Sequence, residues 1–101
     1  MSRIIRGTTP TITYTFNTVD VSKITDAFMT IKRNGTVTIE KDLDDATVGE
    51  KDLSWTLTQS ETLSVSGDAC IMLNWKTNDG TRGASAETVV RFIPNHKEEV
   101  I

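Results

Sequence analysis

Apolar and polar residues alternate with a period of two along most of this chain, and turn residues separate the alternating stretches. Ile12, Tyr14 and Phe16 interleave with Thr11, Thr13 and Thr15. Leu53, Trp55 and Leu57 interleave with Ser54, Thr56 and Thr58, and Ala69, Ile71, Leu73 and Trp75 with Asp68, Cys70, Met72 and Asn74. A strand that turns one face to a core and the other to water has this pattern. It predicts strands over 2–6, 11–17, 26–32, 52–58, 68–76 and 85–93, and leaves room for a short strand at 46–48 inside an acidic loop. The pattern of 85–93 is nearly continuous, which suits a strand in the middle of a sheet or one buried on both faces.

Two segments carry sharper local signals. Thr58-Gln59-Ser60-Glu61 has capping-box spacing, so a single helical turn is expected over 59–63, carrying the chain from one sheet to the other. Asn34-Gly35 is the strongest hairpin signal. A simple two-residue loop would pair Ile31 with Thr38 and send Val37 and Ile39 to the face opposite Met29 and Ile31. A three-residue loop over Arg33–Gly35 pairs Ile31 with Val37 and Met29 with Ile39, so all four share one face. Because a one-residue slip reverses a strand's faces, the second register is expected, with Gly35 left-handed in a bulge. Phe28 then falls on the other face.

The expected architecture is all-β: an antiparallel, immunoglobulin-like β-sandwich of about seven strands. The short helical turn near 59–63 interrupts it. A length of 101 residues fits a single domain over 1–101, ending in a polar tail over 94–101 that is mobile unless its terminal Val-Ile docks. The Cys…Trp…Cys pattern of disulfide-bridged immunoglobulin domains is absent.

Composition narrows the function classes. Seventeen threonines suit the outer face of sheets and help explain an apolar fraction of only 37%. A net charge of -3 with scattered basic residues argues against a nucleic-acid partner, which needs a basic face to displace counterions. The single cysteine, Cys70, allows no internal disulfide and points to folding in a reducing compartment. Its place in a strand reads as a structural thiol. The opening Met1–Gly7 segment lacks an apolar core, so no secretory signal is expected, and no run is long enough for a membrane span.

Candidate chemistry is sparse. The one histidine, His96, lies in the tail beyond Pro94, where an imidazole is not rigidly held. Six acids between 40 and 52 raise calcium binding or a glycosidase-type carboxylate pair, but the Asp42–Asp45 run lacks the EF-hand order and nothing selects one pair. A solvated acidic loop is the preferred reading. Tyr14, Trp55 and Trp75 are in phase with the aliphatic face of their own strands, which favours core packing over a sugar-stacking platform. Trp75, near a strand end beside the Asn78–Gly83 loop, is the strongest exception. Asp79-Gly80-Thr81-Arg82-Gly83 is turn chemistry rather than a phosphate loop. No catalytic residue, metal or cofactor is assigned.

Three segments carry a resemblance: Ile4-Ile5-Arg6-Gly7-Thr8-Thr9-Pro10, Leu57-Thr58-Gln59-Ser60-Glu61-Thr62-Leu63 and Asn78-Asp79-Gly80-Thr81-Arg82-Gly83-Ala84-Ser85. Together they resemble small phage or prophage tail- and baseplate-associated β-domain proteins of Gram-positive bacteria, and the N-terminal domain of phage upper baseplate proteins. The resemblance implies a non-enzymatic structural or assembly role, in the host cytoplasm during assembly and then in the virion tail. The implied partners are other tail or baseplate proteins, with self-association as a further possibility, and neither nucleic acid nor membrane. Contacts are expected through strand edges and apolar ends, with Ile4, Ile5, Trp75, Val100 and Ile101 as the candidate surface. The alternative is a carbohydrate-binding module for bacterial wall glycans.

Overall fold

The structure, a computed structural model, describes residues 2–101. Nine strands form a two-layer sandwich: β1 (Ser2–Ile5), β2 (Thr11–Thr15), β3 (Ile24–Arg33), β4 (Thr36–Asp42), β5 (Thr47–Val48), β6 (Asp52–Thr56), β7 (Gly67–Thr77), β8 (Arg82–Ala84) and β9 (Thr88–Ile93). The large sheet has the order β1-β9-β7-β3-β4, with β8 also paired to β7, and the small sheet has the order β2-β6-β5. One helix, α1 (Gln59–Leu63), links β6 of the small sheet to β7 of the large one.

The alternation places the core where it was expected. Leu53, Trp55 and Leu57 face Met29, Ile31, Ile71 and Leu73 across the sandwich, all fully or nearly fully buried. Each such side chain contributes roughly 1.5–3 kcal/mol by leaving water. Trp55 also has its polar atom satisfied, since its indole N–H donates to the Asp42 carbonyl at 2.9 Å. The helical turn follows its local signal closely. Thr58 Oγ1 accepts from the Glu61 N–H at 3.1 Å, and the Glu61 carboxylate accepts from the Thr58 N–H at 2.8 Å.

Three features depart from expectation. The sandwich is mixed, because β1 runs parallel to β9 while every other pair is antiparallel. There are nine strands rather than about seven, partly because Arg82–Ala84, read from the sequence as turn, forms β8, and a bulge separates it from β9, which begins at Thr88 rather than at 85. Between the pairs Asn74↔Ala84 and Ile71↔Thr88, β7 supplies two residues and the returning chain three. Ser85 bridges the gap: its N–H donates to the Leu73 carbonyl and its hydroxyl accepts from the Leu73 N–H, both at 2.8 Å. The continuous pattern of β9 reflects its place between β1 and β7 rather than burial on both faces, since Val90 and Phe92 are buried and Val89 is 40% exposed.

The third departure is the Asn34-Gly35 hairpin. The turn is the two-residue form, with Asn34 at φ 53° and Gly35 at φ 77°, and Arg33 pairs with Thr36. Two consecutive left-handed residues define a type I′ turn, whose twist matches the strands. The bulge lies further along, where Ile31 pairs with Ile39 and Lys32 with Val37, leaving Thr38 as the extra residue. The bulge thus falls in β4 rather than in the turn, and neither the Ile31–Val37 nor the Met29–Ile39 pairing forms. Met29, Ile31 and Ile39 do share the core, whereas Val37 stands on the outer face, 48% exposed.

Gly35 meets nothing within 4 Å of an added Cβ, so its substitution isolates backbone conformation from packing. Gly35→Ala should lower unfolding free energy by about 1 kcal/mol in a urea titration. An unchanged midpoint would contradict the type I′ turn.

Candidate interaction surfaces

The two ends of the chain meet at one end of the sandwich, and polar contacts join them. Thr62, on α1, is the one fully buried polar residue among those described. Its hydroxyl accepts from the Gly7 N–H at 2.9 Å and donates to the Thr8 carbonyl at 2.8 Å. Arg6 lies beside it and donates to the Leu63 and Val65 carbonyls at 2.5 and 2.9 Å, covering the C-terminal end of α1 with a positive charge. The same guanidinium pairs with Glu98 at 2.7 Å. Asn95 donates from its side chain to the Arg6 carbonyl at 2.9 Å.

The tail therefore docks, but not through the apolar side chains expected to hold it. The Ile101 N–H donates to Gln59 Oε1 at 2.8 Å, and Gln59 Nε2 donates to the Ile101 carbonyl at 3.1 Å. The side chains of Val100 and Ile101 stay exposed. Of the other candidate surface residues, Ile4 pairs with Phe92 and packs against the core, while Ile5 pairs with Ile93 and is 47% exposed. Ile5 thus shares the joined end with the tail.

Trp75 belongs to a different region. It sits eight residues along β7 from Gly67, a separation of about 26 Å in a strand. Its ring meets Phe16 edge-to-face at 5.1 Å and lies over Gly83, where an added Cβ would come within 2.4 Å of it. Tyr14 and Trp55 make a similar edge contact at 6.3 Å. The in-phase aromatics are thus engaged in packing.

The exposed aromatic is Phe28, which projects from the outer face of the large sheet and is 43% exposed. It lies in a shallow hollow of about 260 Å³ whose lining also includes Trp75, with Asp26, Asn74, Lys76 and Arg82 around them. Phe28 is out of phase with Met29 and Ile31 along β3, and that parity is the sequence signal for its exposure. A second groove, of about 400 Å³, opens between β1 and β2, with Ile4, Ile12, Tyr14 and Val90 in its lining. Both strands are sheet margins with one unpaired edge.

The acidic residues mostly hold their own backbone. Asp42 and Asp45 cap a 3-10 turn reciprocally, each accepting from the other's N–H at 3.3 Å. Asp20 caps another turn by accepting from the Ser22 N–H. Asp79 accepts from the Thr77 hydroxyl and the Thr81 N–H, and these bonds bring its pKa down to about 2. The carboxylate of Glu87 beside Cys70 pushes the thiol pKa up, and burial adds to it, which disfavours the reactive thiolate. No group of three or more His, Cys, Asp or Glu among the described residues is arranged to hold a metal ion. No helix is long and apolar enough to cross a membrane.

No family model matches the chain, and no curated protein matches it.

Thr62→Val keeps the side-chain shape but removes both hydroxyl bonds, stranding the Gly7 N–H and the Thr8 carbonyl. The expected loss is about 1–3 kcal/mol in a denaturant melt, more than a surface Thr→Val change gives. A loss under about 0.5 kcal/mol would show that the junction is not held this way.

Proposed function

We propose that this chain is a non-enzymatic structural or assembly module of a phage tail or baseplate, acting by contact with neighbouring tail proteins. The observation that carries this reading is the joined end: Arg6, Thr62, Asn95 and Gln59 fix both chain ends, while β1 beside them keeps an unpaired edge and exposes Ile5. A strand edge held rigidly in place is a ready template for a neighbouring chain. The three segments of the resemblance support the setting, and two of them contribute to this end. Assembly in a host cytoplasm followed by residence in the tail accords with a chain that has a single cysteine.

We also read the sandwich as immunoglobulin-like. In support, the small sheet β2-β6-β5 has the sequence relations of strands B-E-D, and β9-β7-β3-β4 has those of G-F-C-C′. The non-enzymatic reading is supported by the use of Asp20, Asp42, Asp45, Glu61 and Asp79 as caps and turn acceptors. Phe28 in its polar-rimmed hollow favours one second reading, a weak wall-glycan site, in which it stands beside Trp75, the residue the sequence suggested for that role.

Co-expression with the products of the genes flanking its own tests the first reading. One tail or baseplate protein should co-purify with this chain, and Ile5→Glu should abolish that while leaving the fold intact. If no flanking product binds, and soluble wall glycan instead binds in a Phe28-dependent way, the second reading replaces the first.

A further inference from the structure

The small sheet ends at β2 with its edge open. Leu57 donates to the Pro10 carbonyl at 2.9 Å and Phe16 to the Lys51 carbonyl at 2.7 Å, so the hydrogen-bonded rungs between them are Ile12–Trp55 and Tyr14–Leu53. The N–H and C=O groups of Thr11, Thr13 and Thr15 therefore point away from β6, and they find no backbone partner among the described residues. Their side chains stand on the outer face, where Thr11 meets Thr56 and Thr13 meets Ser54 with hydroxyl oxygens 3.0 Å apart. The core is also unfinished on this side. Leu53 and Trp55 on β6 are buried, whereas Tyr14 and Ile12, opposite them on β2, stay partly exposed. With Ile4, Ile71 and Val90 they floor the groove of about 400 Å³ between β1 and β2. An apolar group the size of benzene fits a space of about 150 Å³, so the groove takes about two such side chains. Arg3 is the one charged residue in its lining, and it is in no ion pair among the described residues.

In the immunoglobulin-like order proposed above, strand A lies beside B in a four-stranded sheet A-B-E-D. Here β2, β6 and β5 stand for B, E and D, while β1 pairs with β9 in the other sheet, so no described strand takes the place of A. The chemistry of the groove specifies what fits there. The open backbone groups recur every second residue, about 6.8 Å apart, which is the repeat of a neighbouring strand. The apolar floor selects a segment with apolar residues at alternate positions. Arg3, a cation with no anion beside it in the lining, selects an acidic residue on that segment. A second copy does not meet these conditions through its own β2. Its Ile12 and Tyr14 already pack on their own core, so edge-to-edge pairing of two β2 strands leaves both grooves unfilled.

We propose that an extended segment of a partner protein adds to the β2 edge as the fourth strand of the small sheet. Its alternate apolar side chains fill the groove over Ile4, Ile12 and Tyr14, and an acidic residue meets Arg3. The place of this strand rests on the immunoglobulin-like order, but the site is separate from Ile5 and independent of the phage setting.

The test tethers a probe strand to the full chain, ahead of Met1, through a Gly/Ser linker of about ten residues. The probe alternates Thr and Val and carries one Glu. Tethering supplies a millimolar effective concentration, so amide exchange at Thr11, Thr13 and Thr15 should slow about tenfold, while amides at the β4 edge keep their rates. Proline is tolerated where the N–H it removes faces out from an edge strand. Thr13→Pro should therefore abolish the protection of Thr11 and Thr15 with an unchanged circular dichroism spectrum. Arg3→Glu should reverse the preference from the Glu probe to one with Lys in its place, which a folding defect cannot produce. Exchange at the three amides that ignores the tethered probe overturns the proposal. So does protection indifferent to Thr13→Pro, or β2 amides that are already protected in the untethered chain as its concentration rises, which marks a second copy as the occupant. None of these outcomes turns on Ile5, so the tail-assembly reading stands or falls separately.

Discussion

The buried hydroxyl of Thr62 is the contact on which the arrangement of this sandwich depends. Two crossings between the sheets meet there: the β1–β2 connection through Gly7 and Thr8, and the β6–β7 connection through α1. Backbone groups at such crossings leave the sheet ladders and still need partners when removed from water. Thr62 supplies two of them. Arg6 supplies carbonyl caps for α1 and then reaches Glu98, so the tail is held by the same side chain that closes the helix. Loss of the hydroxyl therefore loosens both connections at once.

With that end fixed, the rest of the molecule follows from the long strand β7. It pairs with β3 on one side and with β8 and β9 on the other, so the core rows Ala69, Ile71 and Leu73 sit at the middle of the large sheet. The Ser85 bulge lets the returning chain change register without leaving the Leu73 backbone unpaired. The closed core and the hydroxyl-lined small sheet leave little surface with any character. What remains is the β1 edge, the groove beside it and the hollow at Phe28 on the outer face of the large sheet.

Sequence legibility followed the range of the interactions. The capping box over Thr58–Glu61 was readable because all its partners lie within four residues. Core membership was readable because the period of two is imposed by strand geometry wherever one face is buried. The hairpin was half readable. Of Met29, Ile31, Val37 and Ile39, expected on one face, all but Val37 share it, because a bulge at Thr38 brings Ile39 to the core without a bulge in the turn, and only strand pairing distinguishes the two. The parallel pairing of β1 with β9 and the clasp between Gln59 and Ile101 join residues 88 and 42 positions apart, and no periodicity marks them. Among the proposed surface residues, Ile5, Val100 and Ile101 are exposed at the joined end. Trp75 is half-buried, packed by Phe16 and Gly83 from other strands, and also lines the hollow beside Phe28, which no periodicity along β7 marks.

Native-state hydrogen exchange at the Gly7 amide tests most directly whether the Thr62 junction organises the fold. Gly7 lies in a connection, outside any strand, and its N–H is held by a side chain alone. The account predicts that this amide exchanges only on global unfolding, with protection like that of core amides in β7. Exchange as fast as that of an exposed loop amide would show that the junction opens independently of the sandwich, and would contradict the account.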